Sequence, residues 1–104
     1  MNSEKEIFES IKNQVHSILP DASVFLFGSR ANNTVHDESD WDILILEQSV
    51  VDRKIKRSIH DALYPVSLKI GAFINMVLAN EKEWNENPSY YSLRLSISRK
   101  PVLS

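Results

Sequence analysis

Two aspartates separated by one residue are the strongest chemical feature of the sequence. Asp40 and Asp42 flank Trp41 at the entry to the apolar run Ile43 to Leu46, whose length and composition are typical of a buried strand. Because side chains alternate between the faces of a strand, we expect both carboxylates on one surface. Like charges this close repel unless a cation lies between them. Oxygen ligands without cysteine or patterned histidine favour Mg²⁺ or Mn²⁺ over zinc.

A second feature follows the apolar run Val24 to Phe27, which also reads as a strand. It ends in Gly28 and Ser29, where glycine allows close approach to a ligand and serine can cap a helical turn. The free N–H groups of such a turn, with the charge of Arg30, would bind phosphate. The short connection to the aspartates allows the two strands to pair antiparallel. Phosphate and metal sites would then share one ligand, a nucleoside triphosphate with its metal.

These residues resemble a known signature. Phe27 to Ala31, followed by Ser39 to Leu44, is similar to the Gly-Ser and Asp-x-Asp signature of the DNA-polymerase-β-like nucleotidyltransferase superfamily. The chain most resembles its small bacterial members, the minimal nucleotidyltransferases. The resemblance implies an α/β (α+β) fold of the polymerase-β type, with a small mixed sheet, helices packed on one face and the site on the other.

The resemblance also implies an activity. The expected reaction is Mg²⁺-dependent transfer of a nucleoside monophosphate, most simply AMP from ATP, to a hydroxyl of an acceptor. Asp40 and Asp42 would hold the metal, and Gly28, Ser29 and Arg30 would bind the phosphates. In small members of the superfamily a frequent context is a toxin–antitoxin pair. The expected partner is therefore an all-helical HEPN-type protein, with this chain as the antitoxin.

One position departs from the superfamily pattern. A third strand is predicted from Ile70 to Leu78, with Gly71 at its start, and in relatives a third carboxylate often stands on this strand. Here Asn75 is the polar residue in the middle of the run. Asparagine can ligate or orient but cannot act as a base. The alternative to an enzyme is a catalytically silent nucleotidyltransferase-like module that binds and masks a partner protein.

The same residues also allow interpretations other than a nucleotide site. Gly28, Ser29 and Asp40 could be ordinary turn residues, since turns are rich in these types. A calcium loop across Asp37 to Asp42 is disfavoured, because the glycine and the closing glutamate of such loops are missing.

Amphipathic segments should position these residues. A first helix is predicted up to Pro20, with its apolar stripe on the sheet face away from the site. A second helix, with a capping pattern formed by Ser49 and Asp52 and an apolar stripe that begins at Val51, should stop at Pro65 or a few residues beyond.

The C-terminal third contains shorter segments. Glu81 to Glu86 is predicted to be a short helix with Trp84 in the core. Residues 90–98 fit a strand or a helix by their spacing, and the resemblance favours a helix. Pro101 to Leu103 is a candidate edge strand.

Composition sets the outer limits. The 104 residues, a quarter of them charged and with a net charge of −2, are expected to form one domain, residues 1–104. The slightly acidic balance disfavours nonspecific nucleic-acid binding. Cysteine is absent, and no signal-like start or apolar run of roughly 20 residues is seen, so a cytoplasmic protein without membrane association is expected. The oligomeric state stays open.

Overall fold

The computed structural model describes residues 4–27, 40–97 and 102–103. In chain order the elements are α1 (Glu4–Ile18), β1 (Ser23–Phe27), β2 (Trp41–Glu47), α2 (Arg53–Ile70), β3 (Ile74–Asn80), α3 (Glu81–Glu86), a 3₁₀ turn (Pro88–Tyr90), α4 (Tyr91–Ile97) and β4 (Val102–Leu103). Helices and strands follow one another as expected of an α/β chain. The segment 91–97 is a helix, as the resemblance favoured.

The strands form one mixed sheet in the order β3-β2-β1-β4. β1 pairs antiparallel with β2 and with the short β4, so the predicted antiparallel pair and the predicted edge strand are both found. β2 pairs parallel with β3. A parallel neighbour requires a crossover connection, and α2 provides it.

One face of the sheet forms the main core. The buried residues of β2 on this face are Trp41, Ile43 and Ile45, which pack with Ile11 of α1 and Ile59 of α2. All five side chains are almost completely buried. The apolar stripe of α1 therefore lies on the face opposite Asp42, as the sequence predicted.

The second face is covered over part of its length. Leu44 and Leu46 of β2 contact a cluster that includes Ala79 and Trp84, so Trp84 is a core residue as predicted. The guanidinium of Arg94 donates hydrogen bonds from Nη1 to the carbonyls of Trp84 (2.6 Å) and Asn87 (3.0 Å). These bonds join α4 to the end of α3. The same face carries Asp42 further along β2, where it is half-buried.

α2 ends a few residues beyond Pro65, within the range that the sequence allowed, and not at the proline itself. It begins after Asp52, whose Oδ1 accepts a hydrogen bond from the N–H of Ile55 at 2.8 Å, and it continues through Pro65 to Ile70. Pro65 removes one backbone hydrogen bond, but buried contacts on both sides of it, at Leu63 and Val66, keep the helix intact.

The helix ends instead at Gly71. Its φ of 71° is left-handed, a conformation that glycine adopts at little cost, and its N–H bonds the carbonyl of Ser67 at 2.9 Å. The prediction that Gly71 starts the third strand is therefore wrong. β3 begins at Ile74.

None of the helices in the described ranges is both long enough and apolar enough to cross a membrane.

Replacing Pro65 with alanine should stabilise the protein. Pro65→Ala restores a helical N–H donor and removes the clash of the ring with the preceding turn, effects that together are worth about 3 kcal/mol within helices. The lost restriction of the unfolded chain offsets about 1 kcal/mol of this gain. Urea denaturation should report a net increase of about 2 kcal/mol in the free energy of unfolding.

The control is Lys54→Ala, an exposed position on the same helix. This variant should change the free energy of unfolding by no more than about 0.5 kcal/mol. An unchanged or lowered free energy of unfolding of Pro65→Ala would contradict the interpretation that Pro65 destabilises α2.

Candidate active site

The pairing of β2 with β3 brings the polar side chains of the candidate site together. In the parallel register Asp42 lies opposite Asn75, and Trp41 lies opposite Ile74. The N–H of Trp41 also donates to the carbonyl of Phe73 at 2.9 Å, which holds the start of β2 against the residue before β3. Asp40 directly precedes β2 and lies at this same edge of the sheet.

The two carboxylates meet at the amide of Asn75. Its Nδ2 donates to Oδ2 of Asp40 and to Oδ1 of Asp42, each at 3.2 Å. Asp40 and Asn75 are exposed, and Asp42 is half-buried. Both aspartates therefore point to one surface, while Trp41 between them is buried in the opposite face.

The donor set fits a hard divalent cation. Since both carboxylate oxygens contact one nitrogen, they are no more than twice 3.2 Å apart, and small shifts bring both within reach of one ion. The amide N–H groups stand in for a cation, because they are the positive partners of both carboxylates. Within the described ranges no ion pair neutralises either aspartate. The same ranges contain no group of three or more His, Cys, Asp or Glu side chains placed to hold a metal ion. A bound cation would be held by two carboxylates and water, as Mg²⁺ commonly is.

The predicted phosphate-binding residues follow β1 at this edge. Phe27, the last residue of β1, pairs with Asp42 across the sheet, so the chain leaves β1 beside the carboxylates. Gly28, Ser29 and Arg30 themselves lie outside the described residues.

The contact of Asn75 with both aspartates is a feature that reading the sequence alone did not identify. In the sequence Asn75 drew attention because relatives often carry a third carboxylate at this place in the strand. Its spatial proximity to Asp40 and Asp42 was not apparent. The signal was present in the segment order, since a strand, a long helix and a second strand predict a parallel pair. The misplaced start of β3 hid the register, and with it the direct pairing of Asn75 with Asp42.

Comparisons with known proteins identify the family of the chain. Residues 8–88 match a family model described as "Nucleotidyltransferase domain", a range that includes all three side chains. The structure is similar to the 1.40 Å crystal structure of a presumed nucleotidyltransferase from Sulfolobus solfataricus, with a TM-score of 0.51 and 25% sequence identity. That match covers 99% of this chain and 89% of the other. No curated protein matches the chain.

Changing Asn75 to aspartate should make the stability of the protein depend on a divalent cation. Asn75→Asp replaces a donor to both carboxylates with a third negative charge, which repels the other two unless a cation is present. In EDTA the loss should be about 1 kcal/mol, or roughly 4–8 °C in Tm for a domain of this size.

Adding MgCl₂ should raise the Tm of Asn75→Asp more than that of the unmodified protein, since three carboxylates hold the ion more tightly than two. Asn85→Asp, an exposed position on α3, makes the same change in charge away from the site and should show neither effect. Equal responses of the two variants to Mg²⁺ would argue against a cation at this edge.

Proposed function

Because the chain belongs to the nucleotidyltransferase domain family, we propose that it transfers a nucleoside monophosphate, AMP from ATP, to a hydroxyl of an acceptor. The observation that carries the proposal is the convergence of Asp40 and Asp42 on a single atom of Asn75 at one edge of the sheet. Two carboxylates held this close to each other repel, and a cation between them would relieve the repulsion. The divalent cation that accompanies a nucleoside triphosphate would supply that positive charge.

The residues have distinct roles in this proposal. Asp40 and Asp42 would hold Mg²⁺ (or Mn²⁺), which when bound would offset the charge on the phosphates and on the leaving pyrophosphate. Gly28, Ser29 and Arg30 would hold the terminal phosphates on the β1 side of the carboxylates. The buried Trp41, exposed to only 1%, keeps the aspartates in place from the opposite face.

The transfer itself is a displacement at phosphorus. The acceptor oxygen forms a bond to the α-phosphorus while the bond from that phosphorus to the bridging oxygen breaks, and its electron pair leaves with pyrophosphate. The hydroxyl proton passes to solvent water, since the amide of Asn75 cannot accept it as a base at neutral pH. Asn75 would instead orient the two carboxylates. Positioning the acceptor in line with the leaving group then supplies much of the rate.

A second candidate function is favoured by the same asparagine. A silent module that binds and masks a partner needs no third carboxylate, and the hydrogen bonds of Asn75 satisfy the two aspartates without a metal. In that case Asp40 and Asp42 have only a structural role and contribute negative charge to the protein surface.

The partner is also part of the proposal. The resemblance to minimal nucleotidyltransferases supports an all-helical HEPN-type protein, with this chain as the antitoxin that modifies or masks it. Both candidate functions allow this pairing. Co-expression with an all-helical HEPN-type protein, followed by size-exclusion chromatography, should give one stable complex, and separate elution would remove this partner from the proposal.

The enzymatic proposal predicts which phosphate is transferred. With Mg²⁺, host extract and ATP labelled at either the α- or the γ-phosphate, label should reach an acceptor only from the α position. Asp42→Asn should lower this transfer by about a hundredfold or more, since metal contacts to the phosphates supply several kcal/mol. Binding of Mg·ATP should weaken in the same variant.

The matched control is Asp61→Asn, an exposed aspartate on α2 that should leave transfer and binding unchanged. Equal Mg·ATP binding by Asp42→Asn and the unmodified protein would reject the site. Absence of any transfer, together with tight capture of a partner, would favour the silent module.

A further inference from the structure

An apolar groove adjoins the carboxylates on the β3 side. It lies between the C-terminal half of α2 and β3 and has a volume of about 680 Å³, within the roughly 300–1,000 Å³ of small-molecule sites. Tyr64, Leu68 and Phe73 line it and are exposed by 56%, 66% and 77%. Large apolar side chains that are grouped and this exposed commonly mark a binding surface.

The groove is continuous with the candidate active site. Asp40 is among its lining residues, and the same carboxylate accepts the hydrogen bond from Asn75. Phe73, whose carbonyl holds the start of β2, forms the rim between the groove and the aspartates. A molecule in the groove could therefore extend a polar group to the carboxylates without leaving its apolar walls.

The order of the strands indicates which of the two substrates would bind on the β3 side of the carboxylates. β1 and β3 lie on opposite sides of β2, and the predicted phosphate-binding residues follow β1. In-line displacement requires the attacking oxygen to lie opposite the leaving pyrophosphate. If pyrophosphate leaves on the β1 side, the acceptor must approach from the β3 side, where the groove lies.

The charges of the groove narrow the class of acceptor. Among the described residues its lining contains no lysine or arginine, and the titratable side chains there are Asp40, His60 and Tyr64. A polynucleotide needs cations along its phosphates, which the described part of this lining lacks. His60 lies about ten residues before the C-terminal end of α2, which places it roughly 15 Å along the helix axis from that end of the groove.

We infer that this groove binds the acceptor, and that the acceptor hydroxyl is carried by an uncharged group with an apolar body. The inference rests on the proposed nucleotidyl transfer and adds the substrate class. The apolar body packs against Leu68 and Phe73, and the hydroxyl extends past the rim to the α-phosphorus beside Asp40. The hydroxyl oxygen forms the new bond to phosphorus, pyrophosphate leaves with the electron pair of the broken bond, and the proton goes to water.

The experiment uses 2-naphthol as the probe and compares two matched leucine variants. Leu68→Gln changes the groove, and Leu95→Gln changes a leucine on α4 that is 53% exposed and is not among the groove's lining residues. Both leucines are more than half exposed, so both variants should fold. Naphthol binding is followed by its fluorescence, and transfer is followed with α-labelled ATP and Mg²⁺.

Leu68→Gln should weaken naphthol binding and slow labelling of naphthol by about tenfold or more, as a lost apolar contact does in specificity pockets. Its affinity for Mg·ATP should be unchanged. Leu95→Gln should match the unmodified protein in all three measurements. Phe73→Ser, a second change at the rim, should repeat the effect of Leu68→Gln.

Naphthol binding that does not differ between the two leucine variants would overturn the inference while leaving nucleotidyl transfer intact. A labelled acceptor from host extract that nuclease destroys would overturn it as well. Loss of Mg·ATP binding and of all α-label transfer from the unmodified protein would instead reject the proposed function. Naphthol binding that still depended on Leu68 would then identify the groove as an apolar site without this reaction.

Discussion

The parallel pairing of β2 with β3 is the constraint on which the site depends. A shift of one residue in this register would turn Asn75 to the other face and bring Ile74 or Met76 beside Asp42, because side chains alternate along a strand. The register is set by the buried contacts of Trp41 and Ile43 with the helices behind the sheet. Apolar packing on one face thus decides the polar arrangement on the other.

Features of the site that depend on neighbouring residues could be predicted from the sequence, whereas features that depend on contacts between distant segments could not. The shared surface of Asp40 and Asp42 followed from strand alternation, a local property. The helix at residues 91–97 could not be derived from its spacing and needed the resemblance. The start of β3 was misjudged because the apolar run from Ile70 to Leu78 reads locally as one strand, whereas the contacts that keep Ile70 in α2 are long-range. With that boundary wrong, the pairing of Asn75 with Asp42 could not be read from the sequence.

In the candidate site the backbone is held by buried contacts, whereas the carboxylates reach solvent. Trp41 lies between the two aspartates in the chain and is buried behind them, and its N–H is bonded to the carbonyl of Phe73. The backbone that carries the carboxylates is therefore fixed, while the carboxylates themselves meet solvent. Such support limits the reorganisation that binding requires, which is how anchored residues gain affinity and precision.

The direction of α2 has an electrostatic consequence for this edge of the sheet. As the crossover between two parallel strands, α2 runs opposite to them, and its C-terminal end reaches the groove that Asp40 also lines. The peptide dipoles of a helix sum to a partial negative charge at that end. Its field adds to that of the two carboxylates, while Lys69 in the last turn of α2 carries the opposite charge. The two carboxylates and the helix end attract cations to this edge of the sheet, and the attraction grows as the ionic strength falls.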